Sequence, residues 1–308
     1  MGSQNVPRET KQIITKDFLV SNKEFVVEEI EKGLLETRPI ISDTDISKYY
    51  NSKEYLSHKK GTSFFSSTYS LASKFMLKRK VKWMSRYMGS NDKFLDFGCG
   101  VGNLVLEMKS KGFESYGVEN NTNALKECDK KNINVYKDLN AVKAQVDLVS
   151  CWHSLEHLLD YKSTLFQFNR LIVNGGHLII AVPNHDSYDS KYYGKYWAGY
   201  DVPRHRYHFN KKAIVLAAKH AGFELLKSAP MFLDAFYVSI LSEKYKNNPL
   251  GFFKGFLIGL FSKFVTQNNV EELTNEFEKA FYHTLRNGNS TMIMTDLALK
   301  LTKAIHKH

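Results

Sequence analysis

A strand running straight into three closely spaced glycines constrains this chain more than any other feature. The apolar pair Phe94-Leu95 delivers Asp96 to a strand end, and Gly98, Gly100 and Gly102 then turn the backbone into a helix opening near Asn103 and Leu104. Glycine is required where the backbone must turn sharply and lie against a ligand, because no Cβ intrudes. A second strand, Ser115 to Val118, ends in Glu119, whose carboxylate can take two ribose hydroxyls. Together these residues predict a nucleoside-binding βαβ unit.

The spacing narrows the nucleoside. A dinucleotide fingerprint reads G-x-G-x-x-G and rests a pyrophosphate on the helix N-terminus. Here the pattern is G-x-G-x-G, with Asp96 two residues before the first glycine. An anion at that strand end repels a pyrophosphate and suits a ligand carrying an ammonium and a sulfonium, which points to S-adenosylmethionine. Cys99, Asn103 and Asn120 lie in the same two turns and are counted with the cofactor floor. Asp138 follows the third strand, where it can accept from the adenine amine while the Leu139 amide serves a ring nitrogen; capping the next helix is an equal alternative, and both can hold.

The fourth strand ends in Cys151-Trp152-His153-Ser154-Leu155-Glu156-His157. Ligands of a doubly wound sheet lie beyond the carboxyl ends of its strands, so this corner faces the cleft. Trp152 and His153 are expected beside the adenosine, and His157 is a candidate general base. The competing reading is a histidine at a helix start that only bonds backbone. No metal is expected: adjacent Glu156 and His157 cannot both ligate from one helix face, and the three cysteines, Cys99, Cys128 and Cys151, have no metal-ligand spacing.

The insert after the fifth strand, 184–210, is crowded with Tyr, Trp, His and Arg. Such density is unusual for a solvated connection. Arg204 is expected to grip an anionic acceptor, and His205 or His208 to take a proton from a hydroxyl nucleophile. Trp197, Tyr200 and Asp201 complete that wall, and Tyr50, Tyr55 and His58 are expected to close over it from the N-terminal side. The alternative is that Asp201 and Arg204 merely pair to hold the loop, with Trp197 as its plug.

Alternating strands and helices predict an α/β doubly wound sheet, with strands at 94–97, 115–118, 135–136, 146–151, 177–182 and 224–228. The expected layout is an N-terminal arm and lid over 1–66, with a helix over Phe18 to Leu35 capped by Ser21. A core follows over 67–232, then a helical insert over 233–289, and an edge strand (290–295) with a tail to 308. The net charge of +11 reads as a lysine-rich solvated surface, with an anionic partner as the sharper alternative. The densest basic stretch, Lys74 to Lys82, has apolar residues at helical spacing and no RNA-binding signature accompanies it, so nucleic acid is not expected. The cysteine usage predicts a reducing, cytoplasmic setting, and no run of apolar residues is long enough to span a membrane.

Taken together, FLDFGCGVGN, SCWHSLEHLLD, GGHLIIAVPN and YWAGYDVPRHRYHFN resemble the class I S-adenosylmethionine-dependent methyltransferases of the ubiquinone-methyltransferase-like type, and more narrowly a branch seen in Bacteroidetes bacteria. YYNSKEYLSHKK and DAFYVSILSEKY resemble the same branch, so the likeness spans nearly the whole chain. It implies a Rossmann-like seven-stranded sheet, bound S-adenosylmethionine, and substrate elements before the first strand and after the fifth. The added tail, Asp296 to His308, departs from that pattern and leaves the edge-strand register open.

The expected function is methyl transfer to a hydroxyl, carboxyl or amine of a small or lipid-like acceptor, with His157 and His205 as bases. The rival reading is a membrane-peripheral or nucleic-acid-binding module with a regulatory or vestigial cofactor site, supported by the charge and by the apolar run Phe252 to Phe264 (FFKGFLIGLFSKF). That run reads more easily as a core helix or a dimer contact. Monomer and homodimer both stay open.

Overall fold

The computed structural model describes residues 11–50 and 64–248, with five further positions up to 259. The chain forms two compact units, Met1–Asp186 with Gly194–Ala229, and Ser187–Tyr193 with Pro230–His308.

The first unit opens with three antiparallel strands, β1 (Gln12–Lys16), β2 (Glu24–Glu31) and β3 (Leu34–Arg38). The helix expected over Phe18 to Leu35 is therefore not formed. Its residues alternate instead, with Phe25 and Val27 buried while Glu24 is exposed and Val26 and Glu28 are half-buried, which is the period of a strand. Lys32-Gly33 turns β2 into β3, and Gly33 sits at φ +80°, a conformation that an L-side chain resists. Ser21 does not cap a helix; its amide and hydroxyl both donate to the Asp17 carboxylate, at 2.7 and 2.8 Å.

Helices α1 (Asp43–Tyr50) and α2 (Phe64–Met84) lead into the core. There β4 (Lys93–Phe97), α3 (Asn103–Ser110), β5 (Glu114–Val118), α4 (Thr122–Lys130), β6 (Val135–Tyr136), β7 (Val146–Trp152), α5 (Tyr161–Leu171) and β8 (Ile172–Ala181) alternate as expected. All five core strands are parallel, in the order β6-β5-β4-β7-β8. The chain winds outward from β4 in one direction, then returns to wind outward from β7 in the other. The crevice between β4 and β7 at their carboxyl ends is thus the switch point where ligands bind in such sheets. Leu95, Val146, Val149, Cys151, Leu165 and Phe168 make the dry interior beneath it.

Two sequence expectations change here. The fifth core strand begins at Ile172 rather than at the expected 177, and takes in Gly175-Gly176, where pairing jumps from Val146–Ile172 to Leu148–His177. The strand expected at 224–228 is not formed; Leu225 and Leu226 are 55% and 74% exposed and make no ladder. The expected edge strand at 290–295 and the tail lie outside the described residues, so the sheet has five strands among those described.

The aromatic insert holds α6 (Tyr188–Tyr193), two 3-10 turns, and β9 (Tyr207–Phe209), and α7 (Lys211–His220) follows it. β9 joins the N-terminal strands as the fourth member of their sheet, antiparallel to β3, with Leu35 opposite His208. The N-terminal arm and the insert are thus one β-structure rather than two separate flaps. In the second unit, α8 (Phe232–Tyr245) is approached so closely by Gly255 and Gly259 that a Cβ there would meet the backbone of Ile240 and Phe236. Lys254 and Ile258 are buried, as a core helix requires. Among the described residues no helix is long and apolar enough to cross a membrane.

Candidate active site

The cofactor floor forms where β4 ends. Gly98, Gly100 and Gly102 all have positive φ, at +70°, +54° and +73°. A Cβ on Gly98 would collide with Ser154, whereas one on Gly100 would project into open space, so the loop presents bare backbone at Gly100. Glu119 at the end of β5 is aimed at this loop: the Gly100 amide donates to its Oε2 at 2.9 Å, and the Asn120 and Asn121 amides donate to Oε1 at 2.9 and 2.8 Å. The carboxylate is therefore oriented before any ligand arrives, with about one acceptor site remaining, on Oε2. The Cys99 thiol points the other way, filling the space above Gly117, and burial pushes its pKa up, so it is an inert filler. Asn103 accepts from Lys131 Nζ at 2.9 Å.

Asp96 lies beneath the loop, 4% exposed, and its Oδ1 accepts from the Ser150 hydroxyl at 2.6 Å. Burial pushes its pKa up to about 7, against the opposing pull of Ser150 and Lys80. Ser150 was not legible as a site residue, because only the parallel register of β4 and β7 sets it beside Asp96. Asp138 caps the short turn Leu139–Ala141, accepting from the Asn140 amide at 2.7 Å, and Leu139 is buried. Trp152 packs edge-on against Trp83, with Lys80 Nζ 4.2 Å from its ring centre. His153, at φ +51°, follows it out of β7.

Beyond β7 the chain makes a 3-10 turn, Leu155–His157. His157 Nδ1 lies 2.8 Å from the Arg204 carbonyl and 3.0 Å from the Tyr50 hydroxyl. A carbonyl only accepts, so Nδ1 carries the proton and Nε2 keeps its lone pair. His205 repeats this arrangement, with Nδ1 at 2.9 Å from the Gly199 carbonyl. The two imidazoles meet edge-to-face, ring centres 4.7 Å apart. Burial, and then the neighbouring His157, lower the His205 pKa. Glu156 completes the group: it is fully buried, and although burial raises its pKa, His153, His157 and His205 together hold it below the usual range. The expectation that adjacent Glu156 and His157 cannot serve one centre does not survive this geometry, since one ligand-type atom from each, and one from His205, lie within 4.8 Å of one another.

Several residues expected at the acceptor hold the lid sheet together instead. Arg204 is 2% exposed; its guanidinium donates to Asp201 at 2.7–3.1 Å, to Asp17 at 3.0 Å and to the Tyr49 carbonyl at 3.4 Å. An Arg so engaged clamps the end of β1 to the insert. Trp197 and Tyr200 are buried against one another, and His208 is buried with Nε2 at 2.8 Å from the Thr37 hydroxyl. That hydroxyl donates to the His205 carbonyl, so His208 Nε2–H must be the donor to it, and burial keeps His208 neutral with its pKa well below the usual value. Tyr55 and His58 lie outside the described residues.

His157 faces a shallow cleft lined by apolar Pro39, Ile40, Ile41, Ile46, Leu159 and Pro203 and by polar Thr37, Arg204 and Arg206. Ile40 and Ile41 come from the segment after β3 and Ile46 from α1, and none of the three is among the site residues expected from sequence.

The family described as a methyltransferase domain matches residues 72–228. A ubiquinone biosynthesis O-methyltransferase of Cupriavidus pinatubonensis is 25% identical over 170 residues, covering 49% of this chain and 68% of that protein. Among solved structures, magnesium protoporphyrin IX methyltransferase from Synechocystis PCC 6803 with bound SAH is 17% identical at a TM-score of 0.49, covering 61% of this chain and 92% of its own. A Thermotoga maritima structure, described as a SAM-dependent methyltransferase and possible histamine N-methyltransferase, is 18% identical at 0.42, covering 52% and 76%. With just over half of the chain inside the family match, the protein belongs to the methyltransferase domain family, and it is a class I S-adenosylmethionine-dependent methyltransferase.

Proposed function

We propose that the protein methylates a hydroxyl of a small, largely apolar acceptor seated in the cleft beside His157. The observation that carries this reading is the pair of imidazoles, each with Nδ1 engaged by a backbone carbonyl and Nε2 left to accept a proton. The residues beside them fit the cofactor. Bare backbone at Gly100 makes room for it, the pre-oriented Glu119 carboxylate keeps about one acceptor site for a ribose hydroxyl, and Asp96 offers charge to a cationic ligand. Asp138 and Leu139 would border the adenine, with Trp152 and His153 on the far side.

When bound, S-adenosylmethionine supplies a sulfonium-activated methyl group for in-line attack. The protein's part is to orient the acceptor and take its proton, and orientation alone is worth up to about 7–11 kcal/mol. Ile40, Ile41, Ile46 and Leu159 would exclude water from the acceptor. His157 takes the hydroxyl proton at Nε2 while the Arg204 carbonyl and Tyr50 hydroxyl hold its ring, and His205 stands next to it as the second acceptor. The named relative, an O-methyltransferase of ubiquinone biosynthesis, supports oxygen as the methylated atom.

The test is transfer of labelled methyl from S-adenosylmethionine to a panel of phenols, aliphatic alcohols, carboxylic acids and amines. Phenols or alcohols should be methylated, and His157→Ala should lower kcat by about 10²–10⁴-fold, the usual contribution of a positioned base. Exclusive methylation of carboxylates, with His157→Ala and His205→Ala both active, would overturn the reading.

A further inference from the structure

We propose that Glu156, His157 and His205 form a binding site for one divalent transition cation of borderline softness, such as Zn²⁺ or Co²⁺. One ligand-type atom from each of the three lies within 4.8 Å of the others. Four-coordinate zinc with bonds of roughly 2.1 Å would separate its ligands by about 3.4 Å, so side-chain rotation has to draw the set in by up to about 1.4 Å on binding. Two imidazoles and one carboxylate suit zinc, cobalt or ferrous iron and are poor in oxygen for calcium or magnesium.

Two independent observations point into this cluster. Glu156 has a side chain only 1% exposed, yet among the described residues neither of its oxygens has a hydrogen-bond partner. His153 Nδ1 at 3.6 Å and His205 Nε2 at 4.0 Å stand near it without bonding it. A buried carboxylate left so is costly unless a charge completes it. Second, both histidines already have the outer bonds of metal ligands: Nδ1 of His157 donates to the Arg204 carbonyl and Nδ1 of His205 to the Gly199 carbonyl. Such bonds fix the tautomer and turn each Nε2 lone pair away from its own support. The backbone also braces the group, because the Arg206 amide donates to the Glu156 carbonyl at 2.9 Å.

Three protein ligands leave at least one coordination position open, the pattern of catalytic rather than structural sites. His157 lines the acceptor cleft, which supplies an entry path. With the cation bound both Nε2 lone pairs serve as ligands and neither imidazole is a base; the cation would instead bind the acceptor oxygen and make its proton easier to lose to water, so the metal-loaded protein would select acceptors with a metal-binding hydroxyl, while proton transfer to His157 belongs to the metal-free protein. This last step rests on the proposed hydroxyl acceptor; the cation site itself does not.

Chelator-treated, full-length protein should be titrated with Co²⁺, following visible absorption and heat. The expected result is one Co²⁺ per chain with new visible bands, displaced by Zn²⁺. Glu156→Gln, His157→Ala and His205→Ala should each weaken binding by at least about tenfold, while His220→Ala, at the end of α7, leaves it unchanged. If Glu156→Gln does not fold, as judged by circular dichroism, the two histidine variants decide. Absence of saturable binding, or equal binding by wild type, His157→Ala and His205→Ala, overturns the site. Binding of S-adenosylhomocysteine to the metal-free protein is measured in parallel: retained, it leaves the methyltransferase reading standing whatever the Co²⁺ result, and its absence would refute that reading separately.

Discussion

Replacing Arg204 by Ala distinguishes a structural clamp from a substrate grip. The side chain is 1% exposed and its partner Asp17 0%, so the pair is fully out of water. Truncation leaves the Asp17 carboxylate buried without its cation and removes three donor contacts to Asp201. Breaking a buried pair from one side costs about 3–5 kcal/mol. For a domain of 150–250 residues each kcal/mol moves Tm by about 2–4 °C, so a fall of about 6–20 °C is expected. Calorimetry of wild type, Arg204→Ala, Asp17→Asn and the double variant measures it. The double variant should fall short of the summed losses, because once the cation is gone a neutral Asn is easier to bury than a carboxylate. The acid limb should change as well. Asp201 is held below its usual pKa by Arg204 and His205 against the raising effect of burial. Its stabilisation is therefore complete above the unfolded value near about 4 and is lost as pH falls through the lower folded value, and Arg204→Ala should flatten that loss. An Arg204→Ala protein melting within about 2 °C of wild type, with a raised acceptor KM, would refute the clamp and restore the grip.

Glu119→Ala should weaken S-adenosylmethionine binding by about 1.5–3 kcal/mol, the worth of hydrogen bonds to a charged group, and calorimetry with unchanged affinity would contradict the ribose role. Because burial raises the Asp96 pKa to about 7, a cationic ligand that needs the carboxylate should bind more weakly as pH falls through 7 and should release a proton on binding there; Asp96→Asn should abolish that pH dependence, and a wild-type affinity flat from pH 6 to pH 8 would count against it. The lid is already paired: the Thr37 amide donates to Arg206 and the Arg206 amide to Glu156, both at 2.9 Å. These amides should exchange slowly with no ligand present, and fast exchange that slows only on adding ligands would show a flap that closes.

Sequence alone placed the glycine turn, Asp96 and Glu119 at the ends of two parallel strands. The glycine turn, Asp96, Glu119 and the alternation of strands and helices are local: each depends on residues within one βαβ unit, where strand ends, positive φ and capping are set by near neighbours. The structure found them where spacing put them. The acceptor half was misread because its pieces are distant in the chain. Phe18 to Leu35 offered apolar residues that fit a helical face, but pairing with β1 and, through β3, with β9 about 170 residues away decided for strand. A chemically rich segment such as 196–208 does not reveal which of its groups face a cleft and which are consumed in packing; burial against Asp17 and Thr37 took Arg204 and His208 out of the chemistry. Likewise Glu156 and His157 seemed unable to cooperate as helix neighbours, and only a 3-10 turn and the arrival of His205 from the insert bring them to one point. Local backbone demands can be read from a handful of adjacent residues. Which side chains meet across the fold is settled by long-range pairing and by the burial that follows from it.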